Sequence, residues 1–592
     1  MKNLPGKNVL VLGLGASGLA LARWCVRNKA QVTVADTRES PPQLQALRDS
    51  LPMVKFVHSQ MDEALFSSVA FDLVLKSPGL SPASVAPVVN AAEARGTARG
   101  NEVSLFAQAL ADLKEDRGYA PKVIAITGTN GKTTVTSLVG QLVQRAGKSV
   151  AVAGNIGPSL LDTLTEKLDL EPEMQPVALE VIEISPMQAA TASAPIFAAD
   201  EPRSAQHETL DAVPDELSDE EIISDREIDP VEASDELPNI ADDLALPEIL
   251  TPPASLAVPV FTSLPEVWVL ELSSFQLDAV NNFEPTVATV LNVTQDHLDW
   301  HETMPAYAAA KARIYGHGLK LLNRDDPQVM AALPAPLPLV KGKQPPAQPY
   351  LTFGSDSPLR PGDYGMETVN GMAWLVRATV ADETIKRRKD EEVVLYIQRL
   401  MPVDALRIRG RHNACNALAA LGLAVAAGCN LAPMLHGLRE YRGEPHRVES
   451  IAVIHDVEYF DDSKGTNVGA TVAALQGLGA DRKLVLIVGG EGKGQDFSPL
   501  AAPVSRYARA VVLMGRDAAL IKAALATCDV PLFEVLSMAD AVRVAAEHAR
   551  TGDAVLMSPA CASFDMFENY EHRARVFCDS VKSTSLEAGL VA

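Results

Sequence analysis

The sequence predicts an α/β protein assembled from successive parallel sheets, and three observations predict it. Short apolar runs alternate with helical stretches along most of the chain, the pattern of strands that pair in parallel through crossover helices. Two of these runs lead into Gly-rich turns that open a helix, at residues 13–18 and 128–134. With 592 residues, and about 100–200 residues in an ordinary domain, there is material for three or four domains with ample core.

In chain order, residues 8–12, 31–35 and 73–76 read as strands with helices between them, a first parallel unit. A second unit opens at Lys122, with an apolar strand at 123–126 and a helix at 135–143. It resumes with strands at 267–272 and 287–292 and a helix at 306–315. Residues 341–400 are rich in Pro and Gly, with β-like runs at 373–380 and 392–397, and read as a β insert. The Ala- and Leu-rich stretch 413–427 reads as a helix. A third unit starts near Arg447, with strands at 451–454, 483–488, 510–514 and 554–557. The domains expected from this are 1–117, 118–445 and 446–592, and no repeat of fixed period is present.

Charge is unevenly spread. The formal net charge is −23, yet residues 201–248 hold 17 Asp and Glu against only Arg203 and Arg226, which leaves −8 for the rest. Between Asp162 and Val260 the only aromatic is Phe197, and prolines recur. Such a stretch cannot bury enough apolar surface to offset its ordering entropy. Residues 166–264 therefore read as an acidic disordered insertion in the second unit. A small helical acidic subdomain is the alternative, since 181–184 and 244–250 carry apolar residues. The acidic balance argues against nonspecific binding to nucleic acid or to an anionic membrane. The six cysteines form no CxxC pair and read as scattered thiols of a reducing cytosol, so a cytoplasmic location is expected. Neither a signal peptide nor a run of about 18 apolar residues is visible. A monomer is expected.

The turn Gly128, Thr129, Asn130, Gly131, Lys132, Thr133, Thr134 carries the chemistry. A Gly-rich turn between strand and helix points backbone N–H groups at an anion, and the helix dipole adds to the attraction. Lys132 would reach the β- and γ-phosphates of a nucleotide, and the Thr133 hydroxyl would sit on Mg²⁺. The strict phosphate-loop pattern has Gly where this chain has Ile126, so the loop is a variant; an ordinary strand–turn–helix is the plainer reading. Glu271 ends the strand that comes after the insertion, the position at which a carboxylate beside a phosphate loop holds Mg²⁺; a surface acid is the alternative. The loop 292–299 (NVTQDHLD) after the next strand supplies oxygen donors and the His297 imidazole. In the first unit, Gly13, Gly15 and Gly18 come after a strand, and Asp36 ends the second strand, a dinucleotide-binding fingerprint. It fits an NAD-dependent oxidoreductase, but its glycines require only a pyrophosphate close to a helix, which a nucleotide-sugar diphosphate also supplies.

Ten stretches carry a resemblance: 128–134 (GTNGKTT), 154–157 (GNIG), 271–277 (ELSSFQL), 292–299 (NVTQDHLD), 311–315 (KARIY), 412–420 (HNACNALAA), 445–448 (PHRV), 462–467 (DSKGTN), 489–497 (GGEGKGQDF) and 558–565 (SPACASFD). In this order they resemble the Mur ligases, ATP-dependent amide ligases of peptidoglycan precursor synthesis, over nearly everything outside the insertion and part of 341–400. Asp462-Ser463-Lys464 stands where family members that add L-alanine, the third residue or the dipeptide have Asp-Tyr. No Asp-Asn-Pro-Arg motif of a diaminopimelate reader is present. The resemblance is thus to the branch that adds D-glutamate.

That resemblance implies a fold, a reaction and a set of site residues. The fold would comprise an N-terminal Rossmann-like UDP-binding domain, a central phosphate-loop ATPase-like domain and a C-terminal Rossmann-like domain. The reaction would join D-glutamate to UDP-N-acetylmuramoyl-L-alanine with ATP, through an acyl phosphate. Lys132, His297, Lys311 and Asn155 would be catalytic. Thr133 and Glu271 would hold one of two Mg²⁺ ions and His297 and Lys311 the other, with Lys311 carbamylated, since an ammonium cannot ligate Mg²⁺. Asn413, Asn416, Arg447 and Asp462 would join the loop in binding ATP, with Arg447 brought in by closure about 443–445. Ser17, Asp36, Thr37, Arg38 and Gly79 would bind the UDP moiety. Lys464, Thr466, Lys493, Ser563 and Tyr570 would bind D-glutamate; the family often has Phe at the last position. A folylpolyglutamate-type synthetase shares the second and third units but lacks this Gly-rich first domain. Another Mur ligase specificity and a non-catalytic scaffold built around the acidic segment complete the alternatives.

Overall fold

Buried apolar strands set the architecture. In the computed structural model, which describes residues 2–67, 69–155, 157–172, 260–278, 280–333, 349–381, 394–480 and 482–589, they form four sheets. The first sheet contains β1 (Asn8–Leu12), β2 (Gln31–Asp36), β3 (Lys55–His58), β4 (Leu73–Lys76) and β5 (Ala98–Gly100), in the order β3-β2-β1-β4-β5, all parallel. The central sheet contains β6 (Lys122–Thr127), β7 (Val150–Gly154), β8 (Val267–Glu271), β9 (Val287–Val290), β10 (Leu319–Asn323) and β11 (Tyr350–Phe353). Its order is β11-β10-β9-β6-β8-β7, again parallel.

A three-stranded antiparallel sheet comes next, formed by β12 (Tyr364–Val369), β13 (Met372–Val380) and β14 (Leu395–Pro402). It is the expected β insert, but its last strand lies further along than 392–397. The final sheet holds β15 (Glu449–Ile454), β16 (Val457–Asp461), β17 (Leu484–Gly489), β18 (Ala508–Met514), β19 (Leu532–Glu534) and β20 (Ala554–Met557), ordered β15-β16-β20-β17-β18-β19. Only β15 runs antiparallel, as the outer partner of β16. The sequence pattern does not separate β16 from β15, although β16 ends at the Asp462-Ser463-Lys464 stretch.

The central sheet positions the rest. β6 is completely covered from Val123 onward, as parallel strands with helices on both faces must be. The helix Lys132–Arg145 places Val135, Leu138, Val139, Leu142 and Val143 on one buried face at helical spacing. That face meets the helix Arg411–Ala426, whose alanines allow close approach and which contributes Leu418, Leu421 and Leu423 to the same core. The chain passes from β6 to β7 over the place later filled by β8, so the strand order reverses beside β6. Ligands of open α/β sheets bind at such a switch point.

The insertion begins later and ends earlier than 166–264. The helix that the sequence places near 164 runs Leu160–Leu170, and Glu171 then folds back. Its carboxylate accepts backbone N–H bonds from Thr262 (2.9 Å), Ser263 (2.6 Å) and Leu264 (2.7 Å), just before β8. The Ser263 hydroxyl donates to the Leu170 carbonyl at 3.0 Å. One carboxylate therefore joins the two ends of the insertion and holds the entry to the strand that carries Glu271. Residues 173–259, with the alternative apolar runs 181–184 and 244–250, lie outside the described residues. Among the described residues no helix is long and apolar enough to cross a membrane.

Replacing residues 174–258 with a short Gly/Ser linker, with Glu171 and Thr262 to Leu264 retained, should leave the melting temperature and catalytic rate nearly unchanged. A flexible loop costs only about 0.6 kcal/mol per doubling of length. A rate loss greater than about tenfold, about 1.4 kcal/mol, would show that the core depends on the removed segment.

Candidate active site

Four carboxyl-end loops of the central sheet converge. β6 delivers the phosphate loop, β8 Glu271, β7 Asn155, and β9 the stretch with Asp296 and His297. Glu271 pairs in register with Ile126 on one side and Gly154 on the other. Gly154 has φ 125°, and a Cβ there would lie 2.1 Å from the Glu271 carbonyl oxygen, so only glycine brings Asn155 this close. The Asn155 amide then donates to Glu271 Oε1 at 2.9 Å. Glu271 Oε2 is buried without a partner. A carboxylate oriented through one oxygen and free at the other suits a hard cation that takes oxygen ligands.

Two ammonium groups crowd the loop from within. Lys132 Nζ donates to the carbonyls of Gly128 (2.9 Å) and Thr129 (2.8 Å). Lys311 Nζ, on the helix Met304–Ala312, donates to the same Gly128 carbonyl at 2.8 Å and lies 4.5 Å from the Tyr307 ring centroid. Burial lowers the pKa of both. The Lys132 charge lowers Lys311 further, while Glu271 and Asp296 oppose the shift on each. Lys311 is 2 % exposed and sits beneath the loop rather than on the cleft wall. His297 has φ 53°, its ring packs edge-on to Phe275 at 4.8 Å, and burial lowers its pKa, which favours the neutral imidazole.

The final sheet's loops close the other side of the cleft. Arg447 Nη2 donates to Thr133 Oγ1 at 2.6 Å, and the residues flanking it, His446 (φ 64°) and Val448 (φ 52°), both sit in the left-handed region. For a β-branched residue such as Val448 that conformation is costly and must be imposed by its surroundings. His446 is held by Asp461 (Nδ1 to Oδ2, 2.7 Å) and by Lys464, whose backbone N–H donates to its carbonyl at 3.1 Å. Lys464 Nζ lies 3.6 Å from the Tyr570 ring centroid. Burial, reinforced by the Arg447 charge, pushes Lys464 down to about 8. Burial pushes Asp462 up to about 7, against a bond from the Ser558 hydroxyl at 2.7 Å.

One cavity of about 490 Å³ is lined by Thr129 to Thr133, Asn155, Glu271, His297, Arg447, Lys464, Thr466, Lys493 and Tyr570. Thr134, Asn413, Asn416 and Asp462 line a smaller neighbouring space of about 120 Å³, which shares Asn130, Gly131, Arg447 and Lys464 with the first. Ser563 is not on either wall: it is 3 % exposed, and its carbonyl accepts from the Phe567 amide. Asp296, Asn467 and Glu571 also face the main cavity; the first two lie in motif stretches but without an assigned role, and Glu571 lies outside them. Asn467 had a signal, an Asn directly before a helical stretch, where capping is preferred.

In the first sheet two of the expected UDP residues, Asp36 and Arg38, engage each other, and Ser17 and Thr37 have partners elsewhere in the protein. Asp36 accepts from the Leu14 amide (2.7 Å) and from the Arg38 amide and guanidinium (both 2.9 Å). Burial opposes its ionisation, but these bonds prevail and hold it at about 2. The Thr37 carbonyl lies 3.0 Å from His58 Nε2. Ser17 hydrogen-bonds the buried Glu102 carboxylate, so its side chain faces inward. A Cβ on Gly79 would meet nothing within 4 Å, so the second turn is open.

Residues 7–99 match the N-terminal domain model of MurD-like Mur ligases, 126–193 and 236–341 the Mur ligase middle domain, and 446–561 the Mur ligase glutamate ligase domain. Proteins named UDP-N-acetylmuramoylalanine–D-glutamate ligase are similar along their whole length. That of Polaromonas sp. (strain JS666 / ATCC BAA-500) is 52% identical, with 100% of both chains covered. That of Albidiferax ferrireducens is 54% identical over 100% of this chain and 98% of its own, and that of Ralstonia nicotianae 47% identical over 100% and 99%. With every domain model in order and full-length relatives at about half identity, the chain belongs to the Mur ligase family.

Proposed function

We propose that the chain joins D-glutamate to UDP-N-acetylmuramoyl-L-alanine with ATP, in the cytoplasm, as a step of peptidoglycan precursor synthesis. The observation that carries this reading is the single cavity in which a phosphate loop, an orphaned carboxylate oxygen and the two lysines 464 and 493 meet. The relatives' shared name supplies the substrates. We assign residues 1–117 to the UDP substrate, 118–445 to ATP and 446–592 to D-glutamate and nucleotide.

The substrate's L-alanine carboxylate attacks the γ-phosphorus of ATP, ADP leaves, and an acyl phosphate forms. The D-glutamate amine, as free base, attacks the acyl carbon. Phosphate departs with the C–O bond electrons and the amine loses its proton. Phosphoryl transfer is mainly positioning and charge neutralisation, so the residues act by placement. Backbone amides of the loop and Lys132 cradle the phosphates. Arg447, already on Thr133, lies where a guanidinium can neutralise a transferring phosphoryl group. Asn155 orients Glu271. Lys464, Thr466 and Lys493 hold the D-glutamate carboxylates, with Ser563 setting its loop and Tyr570 supporting Lys464. Asp462, Asn413 and Asn416 face the nucleoside end. Thr133, Glu271, His297 and Lys311 would hold two Mg²⁺, which supply charge neutralisation at the triphosphate.

Purified protein should release phosphate only when D-glutamate accompanies ATP and UDP-N-acetylmuramoyl-L-alanine; equal release with L-glutamate or diaminopimelate would refute the specificity. Lys132→Ala should abolish turnover in a folded protein, and retention of even about a tenth of the rate, about 1.4 kcal/mol, would remove the phosphate-loop role.

Lys311 must lose its positive charge to ligate a metal, and carbamylation converts it into a carboxylate-like oxygen donor. Lys311→Ala should lose activity and regain part of it in excess acetate or another small carboxylate. No rescue, together with an intact melting temperature, would count against carbamylation.

The ammonium of Lys464 is easier to deprotonate than usual, at about 8. Since a neutral amine no longer pairs with a carboxylate, kcat/KM for D-glutamate should turn downward as pH rises through about 8. Lys464→Arg should abolish that limb, because a guanidinium stays charged. The same limb in the arginine variant would place the titration elsewhere.

A further inference from the structure

We infer that Asn130 and Asn467 form a reciprocal amide clamp that docks the final sheet's unit onto the phosphate loop and so positions Lys464 and Thr466 for the second substrate. The inference rests on the ligase reading above for its consequence, but on geometry alone for its existence. Asn130 Nδ2 donates to Asn467 Oδ1 at 3.3 Å, and Asn467 Nδ2 donates back to Asn130 Oδ1 at 3.1 Å. The two residues are 337 positions apart in the chain. They belong to loops of different sheets.

Both partners are fixed from behind. The Asn130 backbone is pinned by Asn292, whose Oδ1 accepts its N–H at 2.8 Å and whose amide donates to its carbonyl at 3.1 Å. Asn467 caps the helix Val468–Leu478, accepting from the Ala470 amide at 2.9 Å, which sets which end of its amide is oxygen. Its Nδ2 also reaches Asp296 Oδ2 at 3.4 Å, on the loop of His297. Asn467 is only 5 % exposed, so these bonds are sheltered from water.

A second observation, at a neighbouring residue, points to the same docking. A Cβ on Gly469 would lie 2.7 Å from Thr294 Oγ1 and 3.1 Å from Thr294 Cβ. Thr294 is itself tied to the phosphate loop, its N–H donating to Thr129 Oγ1 at 3.0 Å. The first turn of the helix therefore approaches the loop as closely as a residue without a side chain permits. Lys464 and Thr466 lie immediately before that turn. Their distance from the phosphates is set by whether the clamp is made.

Asn467→Ser is the informative variant. Serine keeps the helix cap, so folding is preserved, but it is too short and carries no amide to meet Asn130. In the full-length protein the melting temperature should stay within about 2 °C of wild type. The KM for D-glutamate should rise at least about tenfold, while the KM for UDP-N-acetylmuramoyl-L-alanine changes less than about twofold. Gly469→Ala should reproduce this split through its clash with Thr294. Asn130→Ala combined with Asn467→Ser should be no worse than the more damaging single variant, since one interaction is lost either way. Multiplicative losses, an unchanged D-glutamate KM in Asn467→Ser, or equal changes in both KM values would overturn the clamp. The same cycle read by affinity for Mg²⁺–ADP needs no turnover, so non-additivity there supports the clamp and additivity refutes it even if the wild-type protein shows no D-glutamate-dependent phosphate release.

Discussion

Two ammonium groups, that of the half-buried Lys132 and that of the buried Lys311, converge on one main-chain oxygen, the carbonyl of Gly128, and the arrangement of the site depends on that crowding. Burial makes both lysines easier to deprotonate than an exposed lysine, and the charge of Lys132 adds to the effect on Lys311. Glu271 and Asp296 are the nearby anions that offset them. One oxygen of Glu271 nevertheless has no protein partner. The cleft is thus built around a charge distribution that a triphosphate and hard cations complete, and it is placed at the point where the strand order of the central sheet reverses.

The geometry is costly locally and secured from a distance. Left-handed backbone at His446, Val448 and His297 concentrates strain around the cleft. It is held by a well-covered parallel sheet beneath and by polar links above. The Asp461–His446 pair, the Arg447–Thr133 bond and the Asn130–Asn467 amides all join the final sheet's loops to one another or to the phosphate loop. Arg573, 2 % exposed, adds a brace by donating to the carbonyls of Ser463 and Cys561, which ties the loop of Lys464 to that of Ser563.

Most of the fold was legible because its strands are short, apolar and separated by turn residues. The failures have physical reasons. β15 and β16 form a tight antiparallel pair turned by His455 and Asp456, both at positive φ, and neither Gly nor Pro marks the turn. The described structure reaches inside both limits of the acidic insertion, because the helix Leu160–Leu170 and the three backbone bonds of Glu171 are not revealed by composition. In the site, residues placed by the central sheet could be read from strand ends alone. Asn467 and Glu571 could not, since they face the cleft only through the approach of separate sheets. Ser17 and Asp36 read as ligand contacts in sequence; what sequence does not show is that each also has a protein partner, Glu102 and Arg38 respectively.

In the reaction proposed above, this charge-crowded loop passes a phosphoryl group to a carboxylate. That transfer is tested most directly by placing heavy oxygen in the alanyl carboxylate of UDP-N-acetylmuramoyl-L-alanine and measuring the released phosphate by mass spectrometry. Each phosphate formed with D-glutamate should carry one oxygen from that carboxylate. Unlabelled phosphate accompanying amide product would contradict it.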